Sequence, residues 1–380
     1  MKNIPYGRQS VDKNDIKEVV KVLKSDWIAQ GPMVQRFEES LAKYCSAKYA
    51  VAVSSGTAAL HLACIAAGLN KGDEAITSPI TFLATSNAVL YTGARPVFAD
   101  IDYDTVNINP DQISKKITDK TKVILPVHFA GHPCDLEEIH KIARKHNLMI
   151  IEDAAHALGA KYRGTKIGSC KYSDMTILSF HPVKAITTGE GGSILTNKKE
   201  LYEKLLALRS HGIVKKDFVN NADGEWYHEM QFLGYNYRMT DIQAALGLSQ
   251  LKKIDAFIQK RRKIAEIYDR FFKDSPYFDT PAEKDYACSA YHLYCLRFKG
   301  KYKNKKREIF SLLRKAGLGV QVHYIPVYKQ PFYQRLGYLN MECPNAENFY
   351  REAVSIPIYP GLKDRDIHEV IRVINKILSK

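Results

Sequence analysis

Apolar positions along the chain follow two alternating patterns. Short apolar-rich runs recur between Tyr49 and Leu195: Ala50–Val53, Glu74–Thr77, Pro96–Ala99, Val123–Val127, Leu148–Ile151, Met175–Ser179 and Gly192–Leu195. Runs of this length, lacking strict alternation, predict strands buried on both faces. Between several of them the apolar residues repeat at helical spacing. Thr57–Leu69 carries Leu60, Cys64 and Ala67 at i, i+4 and i+7, and Leu136–His146 is a second such stretch. Strands alternating with helices predict an α/β fold, a mainly parallel sheet with helices on both faces.

The pattern changes after Met239. It becomes long and helical, through Leu251 and Ile254 to Phe272, and after Pro281 a smaller mixed segment follows. That segment reads as strand Tyr291–Phe298, helix Lys306–Ala316, strand Gly319–Tyr324 and helix Asp364–Leu378. These shifts predict a large domain over residues 1–250, with an N-terminal segment, and a small C-terminal α+β domain over 251–380. A length of 380 residues suits two such units.

Composition narrows the function classes. Hydrophobic residues make up 45% and charged residues 26%, ordinary globular values that exclude a disordered or collagen-like chain. The formal charge of +15 raises nucleic acid, a membrane surface or small anions as partners. The lysines are spread along the chain, however. The densest run, Lys299–Arg307, falls between a strand-like and a helix-like segment, where a solvated loop is expected, and no nucleic-acid-binding motif accompanies it. Seven cysteines without a CxxC pair argue for free thiols in a reducing compartment. No signal-peptide core and no membrane-length apolar run is present, so a soluble, cytoplasmic protein is expected.

Three segments carry candidate chemistry. In Val51-Ala-Val-Ser-Ser-Gly-Thr-Ala-Ala-Leu60 a strand runs into a helix start, whose unpaired N–H groups and positive dipole end suit an anion; Gly56 leaves room for close approach. Read alone, the same residues also make a good helix cap. In Leu148-Met-Ile-Ile-Glu-Asp-Ala-Ala-His156 a strand ends in Glu152-Asp153, at the sheet edge where open α/β folds bind ligands. Asp153 alone reads equally as a helix cap. In Met175–Leu195 two strand-like runs flank a loop holding Lys184 and a glycine-rich turn. A lysine between buried strands is costly unless used, and one that sheds its proton forms a Schiff base with an aldehyde. A lysine on a surface turn is the plainer alternative. Together the three match one cofactor, pyridoxal phosphate: a helix start and hydroxyls for its phosphate, a lysine for its aldehyde, a carboxylate for its ring nitrogen.

The chain resembles the DegT/StrS family of nucleotide-sugar aminotransferases, fold-type I pyridoxal-phosphate enzymes of the aspartate aminotransferase-like class. The resemblance rests on Ser54-Ser-Gly-Thr-Ala-Ala-Leu60, Glu152-Asp-Ala-Ala-His-Ala-Leu-Gly159, Ser179-Phe-His-Pro-Val-Lys184, Thr188-Gly-Glu-Gly-Gly192 and Gly234-Tyr-Asn-Tyr-Arg-Met239. Phe180–Thr188, Arg209–Lys215 and Gln321–Tyr328 are most similar to the branch that aminates UDP-sugars at C4 for pseudaminic acid biosynthesis, with L-glutamate as donor.

The resemblance implies roles at matching positions. Lys184 would bond the cofactor and move the proton, and Asp153 would pair with the ring nitrogen. Gly56, Thr57 and Ser179 would hold the phosphate, joined by Asn236 from the other subunit of a homodimer with shared active sites. Phe82 would stack on the ring and His156 would sit beside its 3-hydroxyl. Tyr6, Asp26, Trp27, Ile28, Ala29, His323, Tyr324, Ile325 and Pro326 would surround the UDP-sugar, beside Gly56, Ser179 and Asn236. No nucleic acid, membrane or metal is expected. His128, His132 and Asp135 have the spacing of a helical metal site, but Gly131 and Pro133 oppose a helix there. A family member with a dehydratase role would carry histidine in place of Lys184.

Overall fold

The computed structural model describes residues 3–379. Its centre is a seven-stranded sheet: β1 (Tyr49–Val53), β2 (Glu74–Thr77), β3 (Arg95–Phe98), β4 (Thr121–Leu125), β5 (Met149–Asp153), β6 (Met175–Ser179) and β7 (Gly192–Thr196). The spatial order is β1-β7-β6-β5-β4-β2-β3. The pairings among β3, β2, β4, β5 and β6 are parallel, whereas β7 runs antiparallel to both β1 and β6. The reason is the connection. Only twelve residues separate β6 from β7, and they fold back on themselves without a helix, so β7 returns beside β6 in the opposite sense. The expected fold class, mainly parallel with helices on both faces, is the one observed.

Two apolar cores flank this sheet. One gathers Phe37, Leu41, Ile76, Ile124, Ile150, Leu178 and Phe180; the other gathers Val51, Val53, Leu60, Leu62, Ile151, Ile177 and Ile194. Alternate residues of one strand enter opposite cores, as the pleat requires. Helices α1 (Gly56–Ala66) and α2 (Leu83–Tyr91) both start just beyond strand ends on the same sheet edge. Later in the chain, α3 (Asp241–Leu251) begins with a capping box in which the Thr240 side chain accepts from the Gln243 N–H.

Helix α4 (Ile254–Phe272) carries the chain from one core to another. Ile254 and Ile258 pack with the central sheet, while Ile264, Ala265, Tyr268 and Phe272 join a separate core. That core covers a three-stranded antiparallel sheet, β8 (Phe278–Asp279), β9 (Tyr294–Phe298) and β10 (Ala353–Ile356), with helices α5 (Lys306–Lys315) and α6 (Asp364–Leu378). A further apolar cluster joins Val327, Tyr328, Tyr333 and Phe349 to Phe98, Ile101 and Phe129 of the central sheet's side.

Three expectations are corrected. Gly319–Tyr324 is not a strand: it makes one isolated bridge, Gln321 to Ser355, and the residue before it, Leu318, bridges Ile4. The N-terminal segment crowds it there, for a side chain at Gly319 would meet Pro5 Cα at 2.8 Å and Ile4 O at 2.9 Å. The strand expected from Tyr291 starts at Tyr294, because Tyr291 lies in the left-handed region with φ 45°. Residues 299–307 are not a plain loop; Gly300–Lys305 forms a 3-10 turn that runs into α5.

Candidate active site

Sheet order brings distant sequence segments to one edge. In β7, Gly192 lies opposite Val53 of β1 on one side and Ser179 of β6 on the other. The residues following Val53 therefore meet those following Ser179. The approach is close enough to demand glycine. A Cβ on Gly192 would meet Ser55 O at 2.5 Å, and one on Gly56 would meet Ser179 Cβ at 2.9 Å.

At the start of α1, Ser55 is the N-cap: its hydroxyl accepts from the Ala58 N–H at 3.0 Å and its carbonyl from the Ala59 N–H at 3.0 Å. The N–H groups of Gly56 and Thr57 precede any intrahelical acceptor and, among the described residues, have no hydrogen bond. The Ser179 side chain lies directly against Gly56. Such a helix start can cradle an anion.

Asp153 is the last residue of β5 and is buried. It caps no helix; residues 155–159 form turns. Its Oδ2 accepts from the Thr85 hydroxyl at 2.7 Å and its Oδ1 from the Ala155 N–H at 3.1 Å.

Lys184 sits on the return between β6 and β7. The return is closed by Phe180 N–H to Gly191 O (2.9 Å), Thr188 N–H to Phe180 O (3.0 Å) and Lys184 N–H to His181 O (2.9 Å). Although the residue as a whole is only partly buried, its amine end is enclosed. Burial pushes the amine down to about 8; the Asp153 carboxylate opposes the drop and the Arg261 guanidinium adds to it.

A chain of rings lines the space beside the lysine. Phe82 contacts Tyr324 (centroids 6.3 Å apart), Tyr324 lies near-parallel to His156 (6.3 Å, 25°), and His323 contacts Tyr6 (5.5 Å). His156 Nε2 is 3.3 Å from the Tyr324 hydroxyl, while its Nδ1 is buried with no partner. His323 Nδ1 meets Ser355 Oγ at 2.8 Å. Burial holds His156 well below the ordinary histidine range, with Lys184 as the largest charge adding to it, and pushes His323 down to about 4 for the same two reasons. Both are neutral at pH 7.

One chain thus gathers Lys184, Asp153, Gly56, Thr57, Ser179, Phe82, His156, Tyr6, His323 and Tyr324. Ile325 is exposed and Pro326 buried, on the segment leaving that cluster. Residues 26–29 and Asn236 stand apart. Asp26, Trp27, Ile28 and Ala29 are exposed, and Ala29 O accepts from the Asp241 N–H at 2.7 Å. Asn236 is exposed and bridges Ser210 through its backbone, with no side-chain hydrogen bond among the described residues.

Sequence reasoning missed three side chains. Thr85 anchors Asp153. His292 is buried, with its ring 4.3 Å from that of His156. Arg261, 1% exposed, donates through Nη1 to the carbonyls of Tyr291, His292 and Ile358. The histidines weighed for a metal have other partners. His128 Nε2 meets Glu152 Oε2 at 2.8 Å while its Nδ1 accepts from the Cys134 N–H at 3.0 Å, and His132 Nε2 accepts from the Lys284 N–H at 3.1 Å.

These features fit pyridoxal phosphate on this structure's own terms. The cradle at Gly56 is one a Cβ would fill, His156 Nδ1 is an orphaned buried atom, and the donor set pairs a lysine with a carboxylate. The DegT/DnrJ/EryC1/StrS aminotransferase family matches residues 9–375. The chain belongs to that family. It is 42% identical over 381 residues to the UDP-4-amino-4,6-dideoxy-N-acetyl-beta-L-altrosamine transaminase of Campylobacter jejuni serotype O:23/36, covering 99% of this chain and 98% of that one. Among solved structures it is similar to Helicobacter pylori PseC, an aminotransferase involved in the biosynthesis of pseudoaminic acid, at a TM-score of 0.92 and 38% identity over 100% of both chains. It is also similar to the PLP-form of the putative sugar aminotransferase Spr1654 from Streptococcus pneumoniae, at a TM-score of 0.92 and 31% identity over 99% of both. The protein is a sugar aminotransferase, and pyridoxal phosphate is its cofactor. No helix among the described residues is long and apolar enough to cross a membrane.

Proposed function

We propose that the enzyme transfers the amino group of L-glutamate to C4 of a UDP-4-keto-6-deoxy-N-acetylhexosamine, forming UDP-4-amino-4,6-dideoxy-N-acetyl-β-L-altrosamine for pseudaminic acid biosynthesis. The carrying observation is end-to-end similarity, at 42% identity, to a transaminase named for that product. Family membership alone supports only a nucleotide-sugar and an amino donor.

The mechanism follows from the residues gathered at the sheet edge. Pyridoxal phosphate supplies the aldehyde that accepts the amino group and the ring that draws electrons from the reacting carbon. The Lys184 amine, part of it neutral at pH 7, would hold the cofactor through its aldehyde with loss of water and, once displaced by the incoming amino group, would carry the proton on its Nζ. The Asp153 carboxylate holds a proton on the ring nitrogen. The Gly56 and Thr57 N–H groups and the Ser179 hydroxyl bind the phosphate. Phe82 would cover the ring, and the unpartnered His156 Nδ1 would be available to its 3-hydroxyl. Tyr6 and His323–Pro326, with residues 26–29, surround the nucleotide-sugar.

The reading extends to assembly and place. A homodimer accounts for the exposed Asn236 side chain, assigned to the phosphate, having no hydrogen bond among the described residues of its own chain: it serves the neighbouring site. The division into residues 1–250 and 251–380 places the change of domain at the start of α4, and a reducing cytoplasm suits seven free cysteines. A panel of 4-keto nucleotide-sugars with glutamate tests the substrate. The UDP-linked 6-deoxy-N-acetylhexosamine of L-arabino configuration should be aminated at C4. Turnover restricted to dTDP-linked or 3-keto sugars would assign the enzyme to another branch of its family.

A further inference from the structure

We infer that Thr85 is a positioning residue for the reaction, fixing the plane of the Asp153 carboxylate through the hydroxyl it presents from the first turn of α2. The inference rests on the role proposed above for Asp153.

Proton counting fixes the direction of the bonds around Thr85. Thr85 Oγ1 lies 2.7 Å from Asp153 Oδ2, 2.7 Å from Thr81 Oγ1 and 3.2 Å from Phe82 O. A hydroxyl has one proton to give, and an ionised carboxylate only accepts. The Thr85 proton therefore goes to Asp153, and the Thr81 hydroxyl must donate to Thr85. All three side chains are buried: Thr81 is 3% exposed, Thr85 0% and Asp153 5%. Water does not compete for these bonds, so the relay has one direction, Thr81 to Thr85 to Asp153.

The second step concerns rotation. The last torsion of an aspartate is broad and nearly two-fold, so one hydrogen bond leaves the carboxylate free to swing. Here each oxygen has its own anchor, Oδ2 at the Thr85 hydroxyl and Oδ1 at the Ala155 N–H. The two anchors come from different segments, 68 residues apart for the first and two for the second. Together they define a plane. Asp153 alone has the charge, but Thr85 decides where that charge points.

The third step links two roles. Phe82 is the N-cap of α2, and the Thr85 N–H bonds Phe82 O at 3.3 Å. One helix start thus holds the Phe82 ring at 59% exposure on its open side and the Thr85 hydroxyl on its buried side. The ring and the carboxylate are placed by the same turn.

The test uses holoenzyme carrying Thr85→Val, which keeps the shape and removes the hydroxyl, and Thr85→Ser, which keeps the hydroxyl and removes a methyl. Asp153→Asn serves as reference. Readouts are kcat and KM, the visible circular dichroism per bound cofactor, the rate of cofactor loss on dialysis, and thermal unfolding. Thr85→Val should lower kcat about tenfold to a hundredfold, as expected for a lost bond to a charged group, with KM within about twofold. It should also weaken the visible dichroism and speed cofactor loss. Thr85→Ser should stay within about threefold of wild type in kcat, even where its unfolding temperature falls as far as that of Thr85→Val. Wild-type kcat and dichroism in Thr85→Val, or equal impairment in Thr85→Ser, would overturn the inference. Thr85→Ala differs from Thr85→Ser by the hydroxyl alone and repeats the comparison should valine prevent folding; equal kcat in that pair would also overturn it. A fully active Asp153→Asn would instead remove the role of Asp153 itself.

Discussion

The sharpest consequence of the site's electrostatics is a pH-dependent stability that belongs to one lysine. Burial lowers the Lys184 amine from 10.5 to about 8, with Arg261 adding to the drop and Asp153 offsetting part of it. At pH 7 about a tenth of such amines are neutral, against about one in three thousand for an ordinary lysine. The sign of the cost follows from proton binding. Between pH 8 and 10.5 the unfolded chain holds a proton on this lysine that the folded chain has released, so stability rises with pH through that window. Below pH 8 both states are protonated, and the folded state bears the whole penalty of an enclosed ammonium. At about 1.4 kcal/mol per pH unit the drop corresponds to roughly 3 kcal/mol. The perturbation is Lys184→Met, which keeps the length of the side chain and removes its charge. Cofactor-free wild type and variant would be unfolded in urea at one fixed chain concentration, at pH 7 and at pH 10. Differences in packing shift both comparisons equally and cancel. The stability of wild type relative to the variant should rise by roughly 2 to 3 kcal/mol from pH 7 to pH 10. A difference constant within about 0.5 kcal/mol would show that its surroundings do not loosen the proton on this lysine and would refute the reasoning.

Two further outcomes are expected. Borohydride reduction of the cofactor-loaded protein should fix the pyridoxyl group to Lys184, read by peptide mass spectrometry, and Lys184→Ala should lose turnover; a label on another lysine would sink that assignment. Lys184→Ala chains co-expressed with chains bearing a bulky residue at Asn236 should regain activity, up to about half of wild type per mixed dimer, because one site collects both defects and the other neither. Demonstrated mixed dimers without recovery would reject the shared site.

Much of the fold was legible because burial leaves a mark on the sequence. β2, β6 and α6 have the bounds the pattern predicts, since each has a short apolar centre or a helical stripe with polar neighbours. The direction of β7 was not legible from its own residues, because Gly192–Thr196 reads the same in either sense; the connection before it decides. Gly319–Tyr324 has the composition of a strand, yet the N-terminal segment packs against Gly319 and leaves room only for single bridges. That competitor lies more than three hundred residues away in sequence, at Ile4 and Pro5.

The candidate site divides along the same line. Lys184 stood out because a lysine between buried strands breaks a local rule, whereas Asp153 and Gly56, which alone read as helix caps, gained weight only beside it. Thr85, His292 and Arg261 break none. Arg261 is the clearest case, for it lies in Lys260-Arg-Arg-Lys263, which reads as a solvated helix face. In the structure it is 1% exposed, with three carbonyls as partners and no carboxylate, and burial draws it down to about 10. A buried cation without a counter-ion is expensive, so its position demands a reason beyond tying Tyr291, His292 and Ile358 together. Its charge, with that of Lys184, faces a single carboxylate at Asp153, while the neighbouring histidines are neutral. The chain's own groups therefore leave the site with an excess of positive charge, which a phosphate dianion held as proposed at Gly56 and Thr57 would balance. The guanidinium that destabilises the folded chain adds, by the same field, to the burial that keeps part of the Lys184 amine free of its proton.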